Sequence, residues 1–168
     1  LCDVRRLPLA PGTFDAVISD STLDHLSTEQ EIVAALRELE RVLKPGGRLI
    51  VTLDNPSNLT YPPRRLVESW MRLGLAPYYI GVTLSRNRLL AELAALGMEV
   101  QGCTAILHYP HPDGFVRALE RTLRQLGLGY LDAAMERTFS LFERLERTPL
   151  RYRTGRYLAA VALKGARQ

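Results

Sequence analysis

Phe14-Asp15-Ala16-Val17-Ile18-Ser19 and Arg48-Leu49-Ile50-Val51-Thr52-Leu53 stand on either side of Thr28-Glu29-Gln30-Glu31 and a stripe of Ile32, Val33, Leu36, Leu39, Val42 and Leu43. The two short runs are apolar enough to be strands covered on both faces. The stripe has the period of an amphipathic helix, opens on a capping box and stops at Pro45-Gly46-Gly47. Strand, helix and strand in that order predict a right-handed β-α-β crossover, so 14–19 and 48–53 should be parallel neighbours. Each strand ends in a polar cluster: Asp20-Ser21-Thr22-Leu23-Asp24-His25-Leu26 after the first, Asp54-Asn55-Pro56 after the second. Ligands of doubly wound α/β sheets collect at the carboxyl ends of the strands, which is where the chemistry is expected.

Working outward, a second helix is predicted from Arg86 to Leu96, capped by Ser85, striped by Leu89, Leu90, Leu93 and Leu96, and stopped by Gly97. Met98 to Leu107 and Arg156 to Leu163 read as strands that complete the sheet as an antiparallel pair. The whole of 1–168 is expected to be a single α/β domain. Two segments lie outside this core. Residues 59–83 hold Tyr61, Trp70, Tyr78 and Tyr79 around a short helix with Leu66, Val67 and Leu73. Residues 110–150 read as two helices, striped by Phe115, Val116, Leu119, Leu123 and Leu126, then by Leu131, Met135, Phe139 and Phe142. Both are expected to act as substrate-side lids, although such stripes more often serve packing than a pocket.

Three pieces of the sequence carry a family resemblance. They are Asp3-Val4-Arg5-Arg6-Leu7-Pro8, the strand Phe14 to Ser19 with its loop to Leu26, and the helix, turn and strand from Leu36 through Lys44-Pro45-Gly46-Gly47 to Val51. In order and spacing they resemble the second half of a class I S-adenosylmethionine-dependent methyltransferase, with a Rossmann-like sheet. The resemblance implies S-adenosylmethionine as cofactor and transfer of its methyl group. The family's glycine-rich loop, which should stand well ahead of Asp3, has no counterpart before that residue. The chain is therefore expected to be the C-terminal portion of the fold.

The resemblance also implies roles. Asp3 would accept a hydrogen bond from the adenine amino group, with the backbone of Val4 beside the ring. Ser19, Asp20 and Ser21 would approach the methionine end of the cofactor. From its own chemistry, His25 is the candidate proton acceptor and Asp24 the group that tunes it, because an imidazole titrates near neutral pH. The plain alternatives are a surface-turn Asp3 and a His25 that merely packs at a helix entry. Asn55-Pro56 invites comparison with the Asn-Pro-Pro-aromatic motif of base N-methylation, yet it follows the wrong strand. His108 and His111 with Asp113 give H-x-x-H-x-D, but Pro110 and Pro112 prevent one helical face, so no metal is expected.

Composition narrows the classes. With 46% hydrophobic and 24% charged residues, the chain suits one packed core. It has no apolar run long enough to span a bilayer and no leader pattern, so a cytoplasmic protein without a membrane partner is expected. Cys2 and Cys103 have neither disulfide nor zinc spacing. The net charge of +4 is uneven: residues 1–109 carry 11 Lys/Arg and 12 Asp/Glu, residues 110–168 carry 11 and 6. Arg117, Arg121 and Arg124 at helical spacing, and Arg151, Arg153 and Arg156 in alternation, form the excess. A solvated face explains it, and an anionic partner would use it. The reading is methyl transfer to a small-molecule acceptor, with a homodimer left open. An RNA-modifying methyltransferase and a non-catalytic binding domain on the same fold are the alternatives.

Overall fold

A computed structural model describes residues 2–59, 61, 63–74, 81–108, 122, 125, 127 and 143–165. Four strands form one sheet in the order β1-β2-β4-β3: β1 Phe14–Ser19, β2 Leu43–Asp54, β3 Met98–Ile106 and β4 Tyr157–Lys164. β1 and β2 are parallel, with Ile18 beside Ile50 and Ser19 beside Val51. β4 runs antiparallel to both neighbours and slots between them, with Tyr157 opposite Asp54 on one side and Ile106 on the other. The carboxyl ends of β1, β2 and β3 therefore share one edge with the start of β4.

The crossover helix α1, Glu29–Val42, forms where its pattern predicts. The Thr28 hydroxyl accepts from the Glu31 amide and the Glu31 carboxylate accepts from the Thr28 amide, so two otherwise orphan donors of the first turn are satisfied. α2 spans Arg64–Arg72 and α3 spans Arg86–Ala95, the latter capped by Ser85 and closed by Gly97 at φ +73°. A last short turn of helix, α4, covers Arg151–Thr154, so the expected alternation of Arg151 and Arg153 before the last strand gives way to helical spacing.

One core holds these pieces together. Ile32, Ala35, Leu36 and Leu39 of α1 and Leu89 and Leu93 of α3 pack with Leu49, Val51 and Leu53 of β2 and Ala160 and Ala162 of β4. Burying each of the larger side chains contributes about 1.5–3 kcal/mol, so this face is a main source of the sheet's stability among the described residues. The segment before β1 is laced to α1. The Leu7 amide donates to Glu38, and Arg41 donates to the carbonyls of Leu7 and Leu9.

Three expectations change. β2 begins at Leu43 instead of 48, because Phe14 pairs with Leu43 and Ala16 with Arg48, leaving Lys44 to Gly47 as a bulge with Gly46 at φ +75°. β1 is not covered on both faces: Phe14 is 38% and Ile18 69% exposed. Its apolar character on the outer face has no packed partner among the described residues. In α2, Val67 is buried while Leu66, Trp70 and Leu73 stay exposed, so the expected stripe is only partly used. The stripes from Phe115 to Phe142, together with Tyr78, Tyr79, His111, Asp113, Arg117, Arg121 and Arg124, lie outside the described residues.

Candidate active site

The polar residues at the shared edge are drawn together by a network. Thr52, next to the end of β2, donates its hydroxyl to Asp20 Oδ1 at 2.6 Å and accepts the Ser21 amide at 2.8 Å. Ser21 sits at φ +42°, a left-handed conformation that side chains other than glycine rarely adopt. Its hydroxyl donates to Asp24 Oδ2 at 3.0 Å, and the Asp54 amide donates to the same oxygen at 3.1 Å. The loop after β1 is thus stitched to the end of β2 through two side chains.

Asp24 is 5% exposed, and its Oδ1 is buried without a hydrogen-bond partner. A buried carboxylate oxygen left unsatisfied is costly and marks a place where a donor is wanted. His25 follows on the same 3-10 turn, Leu23–His25, but faces solvent. The turn brings the two expected partners side by side in sequence while sending them to different environments. Ser19 is buried at the end of β1, and Asp20 is exposed beside it.

Two tyrosines complete the site, Tyr61 from the expected 59–83 segment and Tyr157, which the sequence reading did not assign. Burial first, then the carboxylates of Asp54 and Asp24, push the Tyr61 hydroxyl up to about 12. Burial also raises Tyr157, with Asp54 adding to it and Arg156 opposing. Both phenols keep their protons at neutral pH and serve as hydrogen-bonding groups, not bases. The chain returns from the 59–83 segment across this edge: the Val82 amide donates to the Leu26 carbonyl at 2.9 Å, and the Thr83 hydroxyl to the Asp54 carbonyl at 2.6 Å. Gly81 is needed at that crossing, since a Cβ there would run into the carbonyl oxygens of Asp24 and Leu26.

Asp3 stands on the far side of the loop. Arg5 forms ion pairs with both Asp3 and Glu31 in the first turn of α1, which keeps Asp3 near the edge where β1 ends. Hydrogen bonds from the Arg5 guanidinium and amide lower the Asp3 carboxyl to about 2, so it is an acceptor throughout the physiological range. Val4 packs against the core.

Asn55 is fully buried, and its side-chain amide donates to the carbonyls of Tyr152 and Gly155 at 2.9 and 2.8 Å. It braces the turn into β4. His108 is likewise absorbed by structure, with Nδ1 2.9 Å from the Thr154 hydroxyl and Nε2 2.8 Å from the Ala105 carbonyl. The sequence's G-x-G triplet, Gly127-Leu128-Gly129, comes long after β1 and β2 and is no substitute for a loop following a first strand.

The parallel β1-β2 pair, the antiparallel β4 inserted beside β3, and a polar edge at the strand ends define the fold of the class I S-adenosylmethionine-dependent methyltransferases. Residues 1–51 match the family model described as a methyltransferase domain. A solved S-adenosylmethionine-dependent methyltransferase from Mesorhizobium loti superposes with a TM-score of 0.59 at 17% identity, over 97% of this chain and 68% of that one. The ubiquinone/menaquinone biosynthesis C-methyltransferase UbiE of Desulfotalea psychrophila is 35% identical over 118 residues, 69% of this chain and 45% of that protein. The tRNA (carboxymethyluridine(34)-5-O)-methyltransferase alkbh8 of Xenopus tropicalis is 41% identical over 51 residues, 30% of this chain and 8% of that protein. The chain thus spans less than half the length of these two relatives. No helix among the described residues is long and apolar enough to cross a membrane.

Proposed function

We propose that the protein takes part in S-adenosylmethionine-dependent methyl transfer to a small-molecule acceptor, held at the edge formed by residues 19–25, 52–55 and Tyr61. The observation that carries this reading is the convergence of Asp20, Asp24, Asp54, Tyr61 and Tyr157 at the strand ends of a methyltransferase sheet. The residues present suit the cofactor's polar ends. Asp3, held ionised by Arg5, is an acceptor for an adenine amino group, and Asp24 keeps an unpartnered oxygen for a donor at the other end of the loop. When bound, S-adenosylmethionine supplies an electrophilic methyl on a sulfonium.

The chain's own contribution is orientation. Thr52 and Ser21 fix the loop, Tyr61 and Tyr157 offer hydroxyls that stay protonated, and exposed His25 is the group that takes a proton from the acceptor. Much of the rate of such a displacement comes from holding the reacting groups in line. Among the described residues no backbone cradle serves the methionine carboxylate, so residues 1–168 by themselves are expected to bind the cofactor weakly.

Transfer to a tRNA is the second reading, favoured by the name of the relative matching 51 residues. That match is confined to less than a third of the chain. The likeness to UbiE is longer, 118 residues and 69% of the chain. Calorimetry with the full-length protein tests the proposal: Asp3→Ala weakens cofactor binding, and His25→Ala slows turnover with that affinity nearly unchanged. Unaltered cofactor affinity in Asp3→Ala overturns the assignment of the adenine end. Full turnover of His25→Ala across pH 6 to 9 removes the proton-acceptor role. Tight, salt-dependent tRNA binding would favour the second reading.

A further inference from the structure

Arg86 opens α3 and Arg151 opens α4, yet both guanidiniums converge on one ring. The Arg86 Cζ lies 4.7 Å and the Arg151 Cζ 5.0 Å from the centroid of Tyr152. The ring is fixed in turn, because its hydroxyl donates to the Cys103 carbonyl on β3 at 2.8 Å. Two cations about one ring stand no farther apart than about 10 Å, comparable to the screening length of about 8 Å in physiological salt, and partial burial weakens that screening, so they repel. A structural arginine pair of this kind would be expected to carry a carboxylate. Neither Arg86 nor Arg151 forms an ion pair with any described residue. The Nε of each is buried with no hydrogen-bond partner. Both side chains are half-buried, so part of each remains open to solvent.

The cluster is anchored to the candidate site. Thr83, three residues before Arg86, donates to the Asp54 carbonyl, and Asn55, the residue after Asp54, donates to the Tyr152 carbonyl. The two arginines therefore ride on the same scaffold as the strand-end carboxylates, on the flank toward β3. Planar guanidinium forks match the oxygens of carboxylates and phosphates, and stacking on an aromatic ring fixes their plane in advance.

We infer that Arg86 and Arg151, both held against the Tyr152 ring, form an anion subsite that takes the carboxylate or phosphate group of the methyl acceptor. The inference rests on the methyl-transfer reading only for what the anion belongs to; the site itself stands on the arginine geometry. It divides the edge into a carboxylate and phenol half at β1 and β2 and a guanidinium half at β3 and β4, which selects an acceptor with an anionic arm over a purely cationic or apolar one.

The test uses the full-length protein with inorganic phosphate and, separately, acetate, in the absence of cofactor and acceptor. The Nε–H resonances of Arg86 and Arg151 are followed by heteronuclear NMR against sodium chloride of equal ionic strength. The expected result is a saturable shift of both resonances with phosphate or acetate but not with chloride. The dissociation constant should rise at least tenfold in Arg86→Gln and in Arg151→Gln. Arg86→Lys keeps the charge and α3 while losing the fork, and should weaken the preferred anion several-fold, which covers the event that a glutamine variant fails to fold. Preference for acetate assigns a carboxylate arm, and preference for phosphate a phosphate arm. Equal response to chloride, or unchanged affinity in Arg86→Lys and the glutamine variants, overturns the subsite. Cofactor binding without anion binding refutes the subsite alone, and anion binding without cofactor binding refutes the methyl-transfer reading alone.

Discussion

Replacing Thr52 by valine exchanges a hydroxyl for a methyl of nearly equal size and should disable the loop after β1 without touching the core. The hydroxyl makes two bonds, to the Asp20 carboxylate and from the Ser21 amide. A hydrogen bond to a charged group contributes about 1.5–3 kcal/mol, and an orphaned backbone donor costs about 1–3. Asp20 is exposed and regains water, and Ser21 is only half-buried, which places both terms near their lower ends. Ser21 also relaxes from its φ of +42°, recovering about 1 kcal/mol of strain. The expected net loss is about 1.5 kcal/mol. With a urea m-value of about 2 kcal/mol/M, the unfolding midpoint falls by about 0.8 M. Because the freed loop carries Asp20, Ser21 and Asp24, kcat/KM in the full-length protein should drop about tenfold or more. Thr52→Ser keeps both bonds and loses one buried methyl, about 0.8 kcal/mol, with kcat/KM close to wild type. A valine variant as active as wild type, or a serine variant as impaired as the valine, would refute the reasoning.

Asn55→Asp should be more destabilising than Asn55→Ala, about 4 against about 2 kcal/mol at neutral pH, since a carboxylate would confront the Tyr152 and Gly155 carbonyls with no proton to donate; equilibrium denaturation of the two variants at pH 7 and pH 5 checks this, and the gap should narrow at the lower pH. Hydrogen bonds from Arg41 and the Leu7 amide depress Glu38 to about 2. A carboxylate lowered on folding adds stability above its unfolded value, and that stability is lost as pH falls toward the folded one. The wild-type urea midpoint should therefore fall more steeply between about pH 4.5 and 2 than that of Glu38→Gln, and parallel curves would show that the clamp of residues 7–9 onto α1 is not coupled to this proton.

The β-α-β unit was legible because its determinants are local. The capping box at Thr28 and Glu31, the apolar period along α1, Ser85 as a cap and Gly97 as a stop each act within a few residues, and each forms as read. The strand-end position of Asp20 to His25 followed from topology alone. Thr52 and Tyr157 were not assigned, because their partners Asp20, Ser21 and Asp54 lie about thirty to a hundred residues away, which no local pattern encodes; Tyr61 was noted only as an aromatic of the 59–83 segment. Thr52 left one faint sign, a polar residue set between Val51 and Leu53 in an otherwise apolar run. The exposure of Ile18 was misread for the opposite reason: an apolar strand shows that both faces can be covered, not what covers them.

The distribution of charge along the edge bears on how the site would work. In a methyl transfer from a sulfonium the positive charge disperses toward the transition state, so a bare carboxylate beside it would favour the ground state more and slow the step. Here Asp20 and Asp24 each have one oxygen hydrogen-bonded, while Asp24 Oδ1 stays open. Asp20 is bonded by Thr52, and Asp24 Oδ2 is bonded by Ser21 and the Asp54 amide. Each bond withdraws charge from the oxygen, and each fixes the loop. Tyr61 and Tyr157, kept protonated by burial and by Asp54, present neutral dipoles where a further carboxylate would be harmful. On the proposed methyl-transfer reading, the network would do two things with the same atoms: hold the loop in a strained shape, and weaken the field that would otherwise trap the reactant. A lone Asp at any of these positions would do neither, so on that reading substitutions of the threonine and the tyrosines, more than of the carboxylates, are expected to lower turnover.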